Sequence, residues 1–140
     1  MTTIAGSLLL DTCACIWIST GVRMRREASE AVEEAVAAGR VWISPFVAWE
    51  IANLSGRGRV NDVDDPRGWL RRLIDLTEAR LAPLDTDLLI DSQTLPDPVH
   101  KDPADRIMIA TARRLNATLV TRDAAIEAYA ALGHVRVLPC

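Results

Sequence analysis

Four acidic residues in this chain stand in surroundings where an isolated acid has work to do. Asp11 ends the apolar run Ser7-Leu8-Leu9-Leu10, and Glu50 lies inside Phe46-Val47-Ala48-Trp49-Glu50-Ile51-Ala52-Asn53-Leu54. Asp105 belongs to His100-Lys101-Asp102-Pro103-Ala104-Asp105-Arg106, and Asp123 ends Leu119-Val120-Thr121-Arg122-Asp123. Carboxylates brought together repel, by about 4 kcal/mol for two charges ~4 Å apart at an effective dielectric of ~20, so a gathering of four requires a cation. An all-oxygen donor set selects a hard divalent ion, Mg²⁺ or Mn²⁺, and neither of the two histidines is placed to add a nitrogen. Such an ion acidifies a water and screens a phosphate, which is the chemistry of phosphodiester hydrolysis.

Each acid also has an ordinary use. Asp102 before Pro103 is a helix N-cap with proline at the first helical position, and Asp105 then falls in the first turn, where a carboxylate favours the helix dipole. Asp11 and Asp123 can cap helices beginning at Thr12 or Cys13 and at Ala124. For Asp102 the cap is the assigned role. Glu50 fits this account least, because its helical neighbours are Phe46, Val47, Ile51 and Leu54. A carboxylate there must be paired, protonated, bound to a cation or partly exposed.

Short apolar strands alternating with helices must position these acids. Strands are expected at 7–10, 41–43, 81–82, 118–121 and 135–138, and helices at 13–19, 24–38, 44–54, 66–80, 86–94, 103–116 and 124–132. The helix over 103–116 sets Ala104, Ile107, Met108, Ala112 and Leu115 on one face, and that over 24–38 does the same with Ala28, Ala31, Val32, Ala35 and Val36. Residues 57–65 and 95–101 read as loops. The order indicates an α/β fold, a three-layer α/β/α sandwich around a mainly parallel sheet, as one domain over residues 1–140. In such a sheet ligands bind beyond the carboxyl ends of the strands, where strand order reverses. Asp11 and Asp123 follow strands directly, and Asp105 opens a helix that leads into one of them. Capping explains each acid alone; a metal site explains their gathering at one edge.

Composition narrows the classes. The net charge of −3 provides no whole-molecule attraction to a polyanion, so a local basic patch or a metal must supply it. The candidate phosphate contacts are Arg57 and Arg59 in the loop, with Arg23, Arg25 and Arg26 at a helix entrance. Three cysteines form no closed disulfide framework, and Cys13 and Cys15, two apart on a helix, face different ways, as small buried residues in a reducing cytosol. No apolar run reaches the roughly 18 residues of a membrane span, and the N-terminal apolar run stops at Asp11 without a basic region before it, so a soluble, cytoplasmic protein is expected. There is no glycine-rich phosphate loop and no Ser/His/Asp or Cys/His set. Four tryptophans without clustering suit core or interface positions better than a base-stacking sheet.

In the order Leu9-Leu10-Asp11-Thr12, Ser44-Pro45 leading to Glu50-Ile51, His100-Lys101-Asp102-Pro103-Ala104-Asp105-Arg106 and Leu119-Val120-Thr121-Arg122-Asp123, the chain resembles the PIN-domain ribonucleases, and within them the VapC toxins of bacterial toxin–antitoxin pairs. The resemblance covers nearly the whole chain, and its third stretch is the most specific. It implies a PIN-like fold and an acidic quartet, here Asp11, Glu50, Asp105 and Asp123, binding Mg²⁺ or Mn²⁺ for endonucleolytic cleavage of RNA. Asp11 and Asp105 are expected as main ligands and Asp123 as a further one. Glu50 acts through water or helps activate the nucleophile, and Thr121 matches a hydroxyl residue lining the site. Ala104 stands where many relatives carry a bulkier residue. The resemblance also implies a homodimer and a small antitoxin; the apolar face of 24–38 is one place for that partner to dock, with core packing an equal account. Two other readings compete: a PIN nuclease for RNA processing or DNA flaps, and a non-catalytic interaction module whose acids are only caps.

Overall fold

A computed structural model of the chain describes residues 6–57, 65–97 and 101–140. Five strands, β1 (Leu8–Leu10), β2 (Val41–Ile43), β3 (Arg80–Leu81), β4 (Thr118–Thr121) and β5 (Val137–Pro139), form one sheet in the order β3-β2-β1-β4-β5. Every pairing in it is parallel, so the mainly parallel sheet expected from the strand–helix alternation is parallel throughout. The helices are α1 (Thr12–Thr20), α2 (Arg26–Ala37), α3 (Phe46–Gly56), α4 (Pro66–Thr77), α5 (Thr86–Asp91), α6 (Pro103–Leu115) and α7 (Ala124–Ala131). Among the described residues no helix is long and apolar enough to cross a membrane.

β1 is the centre of the construction. Its three leucines are buried on both faces, the reason the strand reads as a continuous apolar run instead of an alternation. Leu8, Leu9 and Leu10 lie between Val41, Trp42 and Ile43 on one side and Thr118, Leu119 and Val120 on the other. The chain runs outward from β1 through β2 to β3, then returns to β1's other side with β4 and continues to β5. Strand order therefore reverses between β1 and β4, and the carboxyl ends of those two strands flank the crevice.

Helix α2 spends its apolar face on this core: Ala28, Ala31, Val32 and Ala35 are buried within it. Of the two accounts of the apolar face over 24–38, docking or core packing, the structure supports core packing, since these side chains are buried within the chain itself. The exposed large apolar side chains lie elsewhere, among them Trp49, Leu76 and Ile90. The tryptophans divide in the same way, with Trp69 in the core and Trp49 61% exposed, its ring stacked on Phe46 at 5.3 Å.

Boundaries shift for local reasons. α4 ends at Thr77, short of the expected Arg80, because Glu78 adopts a left-handed conformation (φ 53°). α3 runs through Gly56, which the sequence marks as a breaker, and closes at Arg57. α5 stops at Asp91, earlier than the expected 94. β5 begins at Val137, two residues late, and ends on Pro139, which its place at the sheet edge tolerates. Residues 58–64 of the expected loop fall outside the described residues.

Candidate metal centre

Four of the helix starts are capped by aspartate side chains, those of α1, α5, α6 and α7. Asp11 accepts a hydrogen bond from the Ala14 N–H (2.8 Å) at the start of α1, and Asp123 accepts from Ala125 (2.8 Å) and Ile126 (3.0 Å) at the start of α7. Asp102 caps α6 through Ala104 (2.8 Å), with Pro103 at the first helical position, as its sequence pattern requires. Asp105 stands in the first turn of that helix. The capping account of Asp11 and Asp123 is thus correct, but incomplete.

Asp11, Glu50, Asp105 and Asp123 all line one cavity of about 430 Å³, together with Thr12, Cys13, Ile16, Leu54, Met108 and Arg122. It opens where β1 and β4 end, at the reversal of strand order. α1 and α7 leave those strands at the cavity's edge, while α3 and α6 bring in Glu50 and Asp105. The acids share the cavity without forming a ready coordination sphere: among the described residues no three Asp, Glu, His or Cys side chains stand close enough to hold one ion.

Two hydroxyls organise the carboxylates. Thr121, fully buried at the end of β4, hydrogen-bonds the Asp11 carboxylate and accepts the Asp123 N–H (3.2 Å), tying the two strand ends together. Thr12 donates to Glu50 Oε1 at 2.5 Å, joining α1 to α3. Glu50 is partly buried, and the hydroxyl of Thr12 together with a partly open flank resolves the conflict its apolar neighbours create.

Burial sets Asp11 and Glu50 apart electrostatically. Burial pushes the Asp11 carboxyl up to about 6, against the hydrogen bonds from Thr121 and the Ala14 N–H, and the charges of Glu50 and Asp123 add to the rise. Burial also raises Glu50, with the Thr12 bond opposing and the charge of Asp102 adding. Asp102 therefore belongs to the site's field as well as to its helix. Burial raises the Cys13 thiol too, so at neutral pH the cavity wall offers oxygen donors and no thiolate.

Several residues lie apart from these expectations. Arg57 closes α3 and is exposed, outside the cavity lining; Arg59 and His100 fall outside the described residues. Arg26 is paired with Glu30 at 2.9 Å. Thr12 and Arg122 escaped the sequence reading as site residues, although each adjoins one of the acids, and that adjacency at a strand end was the available signal.

Comparison with known proteins agrees with this fold. The chain is similar in fold to VapBC2 from Rickettsia felis, solved bound to a DNA fragment from its promoter, with 15% identity, a TM-score of 0.66, and 94% of this chain and 97% of that one covered. It is also similar to VapBC-1 from nontypeable Haemophilus influenzae, at 17% identity and a TM-score of 0.57 over 94% and 96% of the two chains. A third likeness is a domain of a functionally unknown protein from Methanocaldococcus jannaschii, at 15% identity and a TM-score of 0.55 over 97% and 91%. No match is found among curated proteins. The PIN domain family model matches residues 8–132, a span that includes four of the five strands. The chain belongs to the PIN-domain family.

Proposed function

We propose that this chain is a divalent-metal-dependent endoribonuclease, acting as the toxin of a toxin–antitoxin pair and hydrolysing RNA phosphodiester bonds in the cytoplasm. The observation that carries the reading is the meeting of Asp11, Glu50, Asp105 and Asp123 in one cavity, where burial already holds Asp11 up to about 6. A cation relieves that unfavourable charge, and an all-carboxylate lining suits Mg²⁺ or Mn²⁺. Membership of the PIN-domain family, whose nucleases use divalent ions, supports the same chemistry, and the likeness in fold to VapBC2 and VapBC-1 supports the biological role.

Asp11 and Asp105 would hold the ion, with Asp123 as a further ligand. When bound, the ion screens the phosphodiester and acidifies a nearby water. Thr121 keeps Asp11 and the start of α7 in register, so the carboxylates of Asp11 and Asp123 enter the cavity from fixed backbones. Glu50, raised by burial and oriented by Thr12, is suited to take a proton from the attacking water. The water oxygen bonds to phosphorus, one P–O ester bond breaks, and the leaving oxygen takes up a proton from solvent. A small antitoxin and a second copy of the chain complete the proposed assembly.

The test is Asp105→Asn assayed on single-stranded RNA with Mn²⁺. Cleavage should be lost while the circular dichroism spectrum is kept, and excess EDTA should silence the wild type. Full activity in either case sinks the reading. Growth arrest on expression, relieved by a co-expressed small protein, separates a toxin from a PIN nuclease for RNA processing.

A further inference from the structure

An acidic cavity that is to receive a polyanion needs a cation of its own to meet the strand. Among the described residues lining this cavity, Arg122 is the sole cation. Its backbone is fixed on both sides, by Thr121 at the end of β4 and by Asp123 at the cap of α7. Its guanidinium carbon lies 4.5 Å from the centre of the Trp17 ring on α1, one residue beyond the cavity-lining Ile16, a cation–π contact. The side chain is exposed, and its charge opposes the upward shifts of Cys13 and Cys140, so it is felt on the cavity wall.

The choice of partner matters. Arg114, at the far end of α6, gives its charge to Asp85 at 2.8 Å. Arg122, with several carboxylates nearby, rests instead on an aromatic face, which holds a guanidinium in place without neutralising it. Its fork of N–H donors is then available to phosphate oxygens, for which it is geometrically matched.

We propose that Arg122, propped on Trp17, is a phosphate-binding residue of this site: it grips a backbone phosphate of the RNA strand where the strand meets the acidic cavity. The inference rests on the proposed nuclease reading. It makes Trp17 a supporting residue and sets the arginine apart from the carboxylates in function. Losing a contact that is made equally in ground and transition states raises KM and spares kcat.

The experiment has two arms. In steady-state cleavage of single-stranded RNA, Arg122→Gln should raise KM about tenfold and leave kcat within about threefold, with the Mn²⁺-induced rise in thermal midpoint unchanged. In equilibrium binding of labelled RNA to protein carrying Asp105→Asn, adding Arg122→Gln should weaken binding by a similar factor and make the log K against log salt slope shallower by about 0.7. Arg122→Lys should restore the slope without the full affinity, Trp17→Leu should fall between, and Arg114→Gln should behave as the parent. Unchanged KM and salt slope in Arg122→Gln, or an equal loss in Arg114→Gln, overturns the proposal. Wild type that binds RNA through Arg122 yet neither cleaves it nor responds to Mn²⁺ overturns the nuclease reading instead.

Discussion

The starts of α1 and α5 are built alike and behave in opposite ways. Asp11 and Asp85 each cap a helix from an extended backbone, accepting the N–H three residues on at 2.8 and 2.9 Å. Asp85 is exposed, and its hydrogen bond with Arg114 holds its carboxyl below the usual range. Asp11 lies at the crevice between β1 and β4, facing other acids, and burial holds it up at about 6. The capping bond is the same; what differs is the company. An aspartate becomes a site residue through the charge its surroundings leave uncompensated, not through the local motif that places it.

The sharpest way to break this comparison is to remove each charge while keeping the cap. Asparagine caps as well as aspartate. Asp11→Asn should lower Mn²⁺-dependent cleavage by on the order of a hundredfold or more, and Asp85→Asn should leave it unchanged. The same pair should differ in ligand response: saturating Mn²⁺, worth about 2.7 kcal/mol at a hundredfold excess over Kd, should raise the melting midpoint of Asp85→Asn as in wild type and scarcely that of Asp11→Asn. Equal behaviour of the two variants would dissolve the distinction.

A smaller effect is expected from Thr121→Val, which removes the hydroxyl between Asp11 and the Asp123 N–H. A loss of about 1–2 kcal/mol in urea unfolding is expected, with weaker Mn²⁺ binding. Retained Mn²⁺ affinity would show that the buried hydroxyl serves the fold alone.

Smallest is the pH signature without metal. Asp11, at about 6 when folded against an ordinary 3.8, binds more protons in the folded state, so its contribution to stability is full below about 4 and declines as pH rises to about 6. Unfolding in EDTA across this range should show wild type losing on the order of 1–2 kcal/mol relative to Asp11→Asn. Asp85, lowered when folded, contributes in the other sense: its stabilisation is present above the ordinary carboxylate value and is lost as pH falls below it. A flat difference between wild type and Asp11→Asn would contradict the buried charge.

Much of this was legible in the sequence, for reasons that can be named. The buried strands β1 and β4 announce themselves because both faces are covered, leaving unbroken apolar runs such as Leu8-Leu9-Leu10. α6 is marked by its cap, its proline and its 3.6-residue periodicity together. That Asp11 and Asp123 stand at strand ends follows from a rule of topology that needs no coordinates, and Glu50 stood out by its apolar helical neighbours. Contacts between side chains remote in the chain were not legible: Thr12 with Glu50, Arg122 with Trp17, and the reach of Asp102's charge to Glu50 all depend on how α1, α3 and α6 approach one another. The ends of α4 and α5 were equally hidden, since a left-handed glutamate at 78 is a choice made by packing, not by propensity.

The pairing of β1 with β4 has a consequence for how the protein comes into being. During synthesis Asp11 and Glu50 are made before Asp105 and Asp123, and β1, β2 and β3 are free to associate before β4 exists. Asp105 and Asp123 arrive only in the last third, and β4 must insert beside Leu8–Leu10 before they can face the earlier pair. A nascent or truncated chain carries half of the acids and no crevice. The site is therefore assembled only once β4 has taken its place beside β1.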